Sequence, residues 1–537
     1  MSFPFGSGSF PRWNENYIPS RAEWQSWWSR KADANSLDEA VSNLGQEITA
    51  EQNRAENAEQ DLLARIDQIP TVKDYGAKGD GTTDDTAAIQ AAVAAGVVAY
   101  VPSGSYPITD VSILQKAPLF FGTGSFVFAG STFPSGPVTD VLQLNVPSVF
   151  PTMQAALDYC SVKEVAGGTF NIQVADGTYS VSQLESPRGD GGKTIFVRGN
   201  ETTPTNCVLN FDATANKNGF FAQGGNGYAW INGFVINGIG GRNSDGSWNA
   251  NCWGGAVRAI DGSSIVCGSA VKVNDYYYGF SARYGGSIVC SGATVYQAGD
   301  CGFHAFAGAI DAEGCQAVAC ADAANGLGFG FCAESGGFVD CSNSSASLNN
   351  VAGIYANGAH VWAHDCTADH NTLYGFYALN GGRIEATKPE ADAANSYNNG
   401  SHGFYASNSG YINANSATSE NNGACGFYAE NSSTIDITSS ASSSNTVAGY
   451  ACYQNSTLVG NGAIAASNGN TGFSADTLSV VRGINHQANN NTNAGFYAQN
   501  GSFMMLNGTS GTGNTDVLYD PAVGTSANNG AYILDVT

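Results

Sequence analysis

The chain has 537 residues, of which 12% are charged and 68 are Gly, and 45 Asp and Glu against 21 Lys and Arg give a formal charge of −24. So acidic a surface repels phosphate backbones and excludes sequence-wide nucleic-acid binding. No run reaches the roughly 18–20 apolar residues of a membrane span.

Met1-Ser2-Phe3-Pro4-Phe5-Gly6 has neither the basic nor the apolar region of a secretory leader. The 13 Cys form no Cys-x-x-Cys pair, so the expectation is buried, reduced thiols in a reducing cytoplasm, with no metal and no cofactor. Residues 1–36 hold Trp13, Trp24, Trp27 and Trp28, the last three at the i, i+3, i+4 spacing of one helical face. So short a segment cannot bury these rings alone, which predicts docking onto another protein. Over 37–69, Leu37, Val41, Leu44, Ile48, Ala55, Ala58 and Leu62 follow heptad spacing, with Glu51 filling one seam position. Ser36 and Glu39 match a capping box, and Pro70 ends the helix. A short, three-stranded parallel coiled coil is expected here.

From Val72 a Gly/Asp-rich run of turns leads to Asp84 and Asp85, placed to cap the helix that follows. Residues 97–106 then read as strand, turn, strand. A second unit has a helix at 153–159 and a strand at 170–174. The resulting divisions are an anchor (1–36), a coiled coil (37–69), a cap region (70–145), a solenoid (146–510) and a C-terminal cap (511–537).

The strongest signal is a repeat. Gly279, Gly302, Gly330, Gly353, Gly375, Gly403, Gly426, Gly449, Gly472 and Gly495 are each followed by an apolar residue, and two places later by Ala or, once, Cys452. Six intervals are 23 residues, one is 22 and two are 28, the period of a solenoid whose coils lean on one another. The alternation is that of a short strand with Gly+1 and Gly+3 inward. A second apolar position is expected at Ile288, Ile310, Phe338, Val361, Ile384, Ile412, Ile435, Leu458, Val480 and Phe503. Four residues before each of the last seven, Gly353 to Gly495, stands Asn349, Asn371, Asn399, Asn422, Asn445, Asn468 or Asn491, which predicts left-handed turns joined by an amide ladder. Cys290, Cys315, Cys341 and Cys366 suit the core near the second strand. The fold class is all-β, a parallel β-helix, because helical solenoids do not carry Gly, Ser and Asn so densely.

Asp74-Tyr75-Gly76-Ala77-Lys78-Gly79-Asp80-Gly81-Thr82-Thr83-Asp84-Asp85, with Ala88-Ile89-Gln90-Ala91-Ala92, resembles the opening segment of the pectate-lyase-like superfamily. Arg21-Ala22-Glu23-Trp24 with Lys31-Ala32-Asp33 resembles the virion-attached segment of phage tail fibres. The resemblance implies a right-handed β-helix in a homotrimeric bacteriophage tail fibre or tailspike, folded in the host cytoplasm and carried on the virion. Residues 1–36 would meet phage tail or portal/adaptor proteins, and the β-helix a host surface polysaccharide, without membrane insertion. The alternative is a capsule or lipopolysaccharide depolymerase, a glycoside hydrolase or lyase.

Hydrolysis of a glycosidic bond wants two carboxylates. Asp369 and Glu420 both lie six residues before a repeat Gly, two coils apart with Tyr397 between, which predicts a separation of roughly 10 Å, near the upper limit for an inverting pair. Residues 387–392, in a long coil, offer Glu390 and Asp392 as substrate contacts. Glu334 and Glu430 share position Gly+4 but stand four coils apart. Arg242 and Trp248 lie in a loop that either binds sugar or covers a sheet. The outward Gly+2 position holds Tyr355, Tyr377, Tyr405 and Tyr428 on consecutive coils, and Tyr497 later. Such a stripe suits a subunit interface, the preferred reading, or stacked sugar rings.

Overall fold

The computed structural model describes residues 20–25, 34–66, 68–187, 193–243, 247–249, 252–322, 324–387, 394–523, 526–527 and 529–535. Trp13, Trp27, Trp28, Glu390 and Asp392 lie outside these. Residues 21–25 are helical, the Ser20 backbone N–H and hydroxyl both donating to the Glu23 carboxylate at 2.8 and 2.7 Å, and Trp24 is 45% exposed. The following helix spans Ala34–Ile66, so Ser36 sits inside its first turn rather than at the cap. Val41, Leu44, Ile48 and Leu62 on that helix are all exposed.

The two acids before helix Thr86–Ala94 divide their work. Asp84 accepts from the Thr86 backbone N–H at 3.0 Å, whereas Asp85, expected to cap as well, turns back and binds the N–H groups of Lys78 and Gly79 at 2.6 and 3.1 Å. Asp85 is buried, and it closes the Gly-rich turn instead of the helix. The second unit opens with helix Met153–Val162, capped by the Thr152 hydroxyl, and strand Thr169–Val174.

Strands then stack as three long parallel sheets, each coil contributing one strand to each sheet. One coil illustrates all: Tyr374–Leu379 on the first face, Arg383–Glu385 on the second, Asn395–Tyr397 on the third. Each pairs in parallel with its counterpart one coil on, as Phe376 does with Phe404, Ile384 with Ile412 and Ser396 with Ser419. The rings at Gly+1 stack down the interior with centroids 4.4 Å apart for Phe376–Phe404, 4.7 Å for Phe404–Phe427 and 4.8 Å for Phe427–Tyr450, close to the spacing of the strands themselves. On the second face Ile288, Ile310, Val361, Ile384, Ile412, Ile435 and Leu458 point inward as expected. Three positions shift by one: Val339, Val481 and Met504 are buried in place of Phe338, Val480 and Phe503, because the turn after the first strand is one residue longer in those coils than the aromatic or β-branched choice suggested.

The third face explains the glycine. Its inward residues are small, among them Ala346, Ala368, Ser396, Ser419, Ser442 and Ala465. A Cβ on Gly403 would lie 2.0 Å from the Ser419 hydroxyl oxygen and 2.7 Å from the Gly426 carbonyl, a collision repeated at Gly375 and Gly426. Ser396, Ser419 and Ser442 in turn donate to the carbonyls of Gly403, Gly426 and Gly449 at 2.9–3.0 Å, so none of these three hydroxyls is stranded.

The amide ladder is continuous. Asn349, Asn371, Asn399, Asn422, Asn445, Asn468 and Asn491 each donate a side-chain N–H to the amide oxygen one coil on at 2.9–3.1 Å, ending at Asn514. The same oxygen accepts the backbone N–H of the preceding Asn, as between Asn399 and Asn422 at 3.1 Å. The left-handed residue is the one before each Asn, among them Leu348, His370, Asn398 and Ser444, so the ladder Asn is chosen for its amide and not for its backbone. Cys290 and Cys315, and likewise Cys341 and Cys366, line the corner between second and third faces, with the Cys315 and Cys366 thiols donating to the carbonyls of Cys290 and Cys341 at 2.8 Å.

Candidate functional site

On the first face, pairing skips the repeat glycine: Ala352 aligns with Tyr374 and Ile354 with Phe376. The bend puts the side chains of Gly−1 and Gly+2 together on the outer surface, giving each coil two outward side chains where flat alternation would give one. Read down the axis, Gly+2 is Ser281, His304, Cys332, Tyr355, Tyr377, Tyr405, Tyr428, Ala451, Ser474 and Tyr497, all in register.

Tyr355, Tyr377, Tyr405 and Tyr428 form one stripe. Tyr377 and Tyr405 are 4.8 Å apart and nearly parallel, while Tyr355–Tyr377 and Tyr405–Tyr428 are tilted at 5.2 and 5.7 Å. From Gly−1, Tyr374 packs on Tyr405 at 4.7 Å, and His402 lies flat on Tyr428 at 4.3 Å. The ring faces are therefore spent on one another, and the stripe shows mostly edges and hydroxyls. Glu430 gathers those hydroxyls: Tyr405 donates to it at 2.5 Å, Tyr428 at 3.2 Å and Ser407 at 3.2 Å. Burial and the Glu430 charge push the Tyr428 hydroxyl upward, and Tyr377 rises to about 12 through burial and its neighbours Tyr374 and Glu430. Burial lowers His402 to about 4, against a smaller opposing pull from Glu430, so the ring is neutral near pH 7.

Below Tyr428 the outer row collapses to Ala451 and Ser474, with Ala448 and Thr471 beside them, and Tyr497 restores it. The missing rings leave a cleft of about 650 Å³, walled by His402, Tyr428 and Tyr453 at one end and by Tyr497, Gln499, Asp516 and Asp520 at the other. Tyr428 and Tyr497 are three coils apart, about 14 Å. Tyr497 donates to Gln499 at 2.7 Å, and Gln499 and Asn500 donate to Asp476 at 2.6 and 2.8 Å. Burial pushes the Asp476 carboxyl up, but the bonds from Asn500, Gln499 and Thr477 outweigh it and hold the group below the usual range. Among the described residues, no Lys or Arg lines the cleft.

The other candidates from the sequence lie elsewhere. Asp369, Tyr397 and Glu420 are in register on the outer side of the third face. Asp369 pairs with His370 Nδ1 at 2.7 Å, and Glu420 accepts from the Ser443 hydroxyl at 3.2 Å. Trp248 is a cover: it is 5% exposed, packs edge-on to Tyr277 at 5.7 Å and donates to the Ala321 carbonyl at 3.2 Å, while the Arg242 guanidinium lies 4.8 Å above it. Sequence reasoning followed the Tyr run and passed over its interruption at Ala451 and Ser474, although that gap was visible.

Residues 70–304 match the family described as rhamnogalacturonase A/epimerase, pectate lyase-like. Among curated relatives, alginate lyase 7 of Azotobacter vinelandii is 58% identical over 43 residues, 7% of this chain and 5% of that protein. The pre-neck appendage protein of Bacillus phage B103 is 33% identical over 75 residues, 14% of this chain and 9% of that protein. The chain thus spans less than a tenth of the length of either relative. Among solved structures, tailspike protein 3 of bacteriophage CBA120 aligns at 11% identity over 88% of this chain and 60% of that one, with a TM-score of 0.32.

Proposed function

From a pectate-lyase-like segment at 70–304 that continues into a β-helix, we propose a phage tail fibre or tailspike whose outer groove binds a host-cell surface polysaccharide. The observation that carries the reading is the cleft between Tyr428 and Tyr497. Its floor is small side chains and its walls are hydroxyls, amides and carboxylates, a surface that hydrogen-bonds sugar hydroxyls better than it packs against an apolar subunit. Acid groups without a cation repel uronates, so the substrate class is a neutral or amino-sugar polymer. The appendage-protein relative supports a place on the virion, with residues 1–36 as the attachment and Trp24 among the docking side chains. The exposed Val41, Leu44, Ile48 and Leu62 support a three-chain coiled coil above the β-helix.

The test is binding of the full chain to host capsule or lipopolysaccharide, against polyuronate and neutral polymers. Retention on a neutral or amino-sugar polymer supports the reading, and Tyr428→Ala weakens it at least tenfold, about 1.4 kcal/mol. Preference for polyuronate, or no retention on any host glycan, overturns it. A single-chain mass by mass photometry overturns the trimer.

A second reading is cleavage by Asp369 and Glu420, supported by their shared register on either side of Tyr397. Asp369→Asn and Glu420→Gln each then abolish release of reducing or unsaturated sugar ends. Unchanged rates in both variants remove the pair.

A further inference from the structure

Two coils at the upper end of the same outer row replace Tyr with His and Cys. Cys301 and His304 come from the strand Cys301–Phe306, at Gly−1 and Gly+2 of Gly302, and Cys332 comes from the next strand directly opposite His304. The bend at Gly302 is what turns Cys301 and His304 to the same side. One ring nitrogen and the two sulfurs all lie within 4.8 Å of one another, and all three residues are no more than 1% exposed.

The histidine is set up as a ligand. Its Nε2 lies 3.1 Å from a Glu334 carboxylate oxygen, and Glu334 is steadied by Asn357 at 3.4 Å. Tyr278 stacks flat on the ring at 4.5 Å and fixes its plane. The other ring nitrogen, Nδ1, is buried with no hydrogen-bond partner, as is the Asp300 Oδ1 next to Cys301. His402 provides the contrast in the same molecule, since its Nδ1 accepts the Cys425 backbone N–H at 3.3 Å. A buried, unpartnered imidazole nitrogen costs free energy unless something fills it. A carboxylate on the far nitrogen is the usual outer partner of a metal-bound imidazole.

We propose that Cys301, His304 and Cys332 bind a thiophilic divalent cation, zinc being the best fit to two sulfurs and one imidazole. On binding, both thiols release their protons to solvent, and the two thiolates cancel the charge of the cation. The centre of cation, thiolates and neutral imidazole is uncharged, which suits the surrounding Trp248, Tyr277, Tyr278, Phe329 and Tyr355. The fourth position is open to water or to Asp300. Without a cation, burial keeps both thiols protonated, Cys332 at about 12. The site ties two neighbouring coils together beneath the Trp248 cover and is independent of the glycan reading.

The experiment uses the full chain, expressed with zinc and then exchanged into cobalt. The expected result is about one metal per chain by elemental analysis, with the thiolate-to-cobalt charge-transfer band and the visible bands of a tetrahedral centre. Cys301→Ser with Cys332→Ser removes the band and the metal, while Cys290→Ala with Cys315→Ala keeps both. Glu334→Gln retains the ligands and weakens cobalt binding about 10–100-fold. Wild-type chain with native circular dichroism but no metal and no cobalt–thiolate band overturns the proposal, as does a Cys301–Cys332 disulfide found by mass spectrometry. Undiminished metal in the double Ser variant overturns it too. If that variant fails to fold, the wild-type cobalt spectrum and the Glu334→Gln titration decide alone.

Discussion

The inner and outer rows of the first face run along the same strands, one residue apart, and obey different rules. The inner row is Phe280, Phe303, Phe331, Ile354, Phe376, Phe404, Phe427, Tyr450, Phe473 and Phe496, nearly one residue type throughout and wholly buried. The outer row changes from His and Cys to Tyr, then to Ala and Ser, and back to Tyr. Packing inside a stack of identical coils demands repetition, because each ring must meet the ring above and below. Nothing outside imposes that demand, so each departure from repetition there marks a local task.

The comparison can be broken most forcefully from inside. Phe404→Ala removes a ring held between Phe376 and Phe427 and is expected to cost about 3–5 kcal/mol in urea unfolding, since neighbouring coils cannot collapse into the gap. Loss below ~1 kcal/mol would mean that the inner row is no more constrained than the outer. Asn422→Ala strands the Asn399 backbone and side-chain N–H groups that its amide oxygen accepts, at an expected ~1–3 kcal/mol, again by unfolding. Acid acts on two buried histidines, His402 beside Tyr428 in the outer row and His486 inside against Phe473. Burial has lowered His402 and His486 to about 4, so both are neutral in the fold and protonate more readily when unfolded. Their stabilising contribution is complete above about pH 6.5 and is lost as pH falls toward 4. His402→Gln should flatten that fall by on the order of 1 kcal/mol between these limits; an unchanged pH profile would assign it elsewhere.

What could be read from residues alone follows the same division. Period, glycine, inner ring and ladder asparagine repeat down the chain, and the structure has them where the repeat put them. The third face escaped because its inward positions are Ala and Ser, which carry no apolar periodicity; the glycine that they require was seen without its reason. Phe338, Val480 and Phe503 were expected inward at Gly+8, whereas the turn length brings the apolar neighbours at Gly+9, Val339, Val481 and Met504, into the core. Asp85 looked like a helix cap because the Gly-rich turn that it closes has no pattern of its own. The cleft is an interruption, Ala451 and Ser474, and a search for features passes over a gap. Cys301, His304 and Cys332 escaped a search for local ligand spacing because the third residue arrives from the next coil, 28 residues after His304. Asp369 and Glu420 were paired by position, and their register follows from the same period that placed the rings.

The outer gap is where the account is most exposed. Ala451→Tyr extends the stripe by one ring, fills the cleft from its Tyr428 end and leaves the inner row untouched. Host polysaccharide binding by the full-length chain, measured by calorimetry beside the thermal midpoint of the same preparation, tests it directly. The expected result is an unchanged midpoint with affinity down at least tenfold, about 1.4 kcal/mol; undiminished affinity in a folded Ala451→Tyr chain would contradict the claim that the missing rings are the binding site.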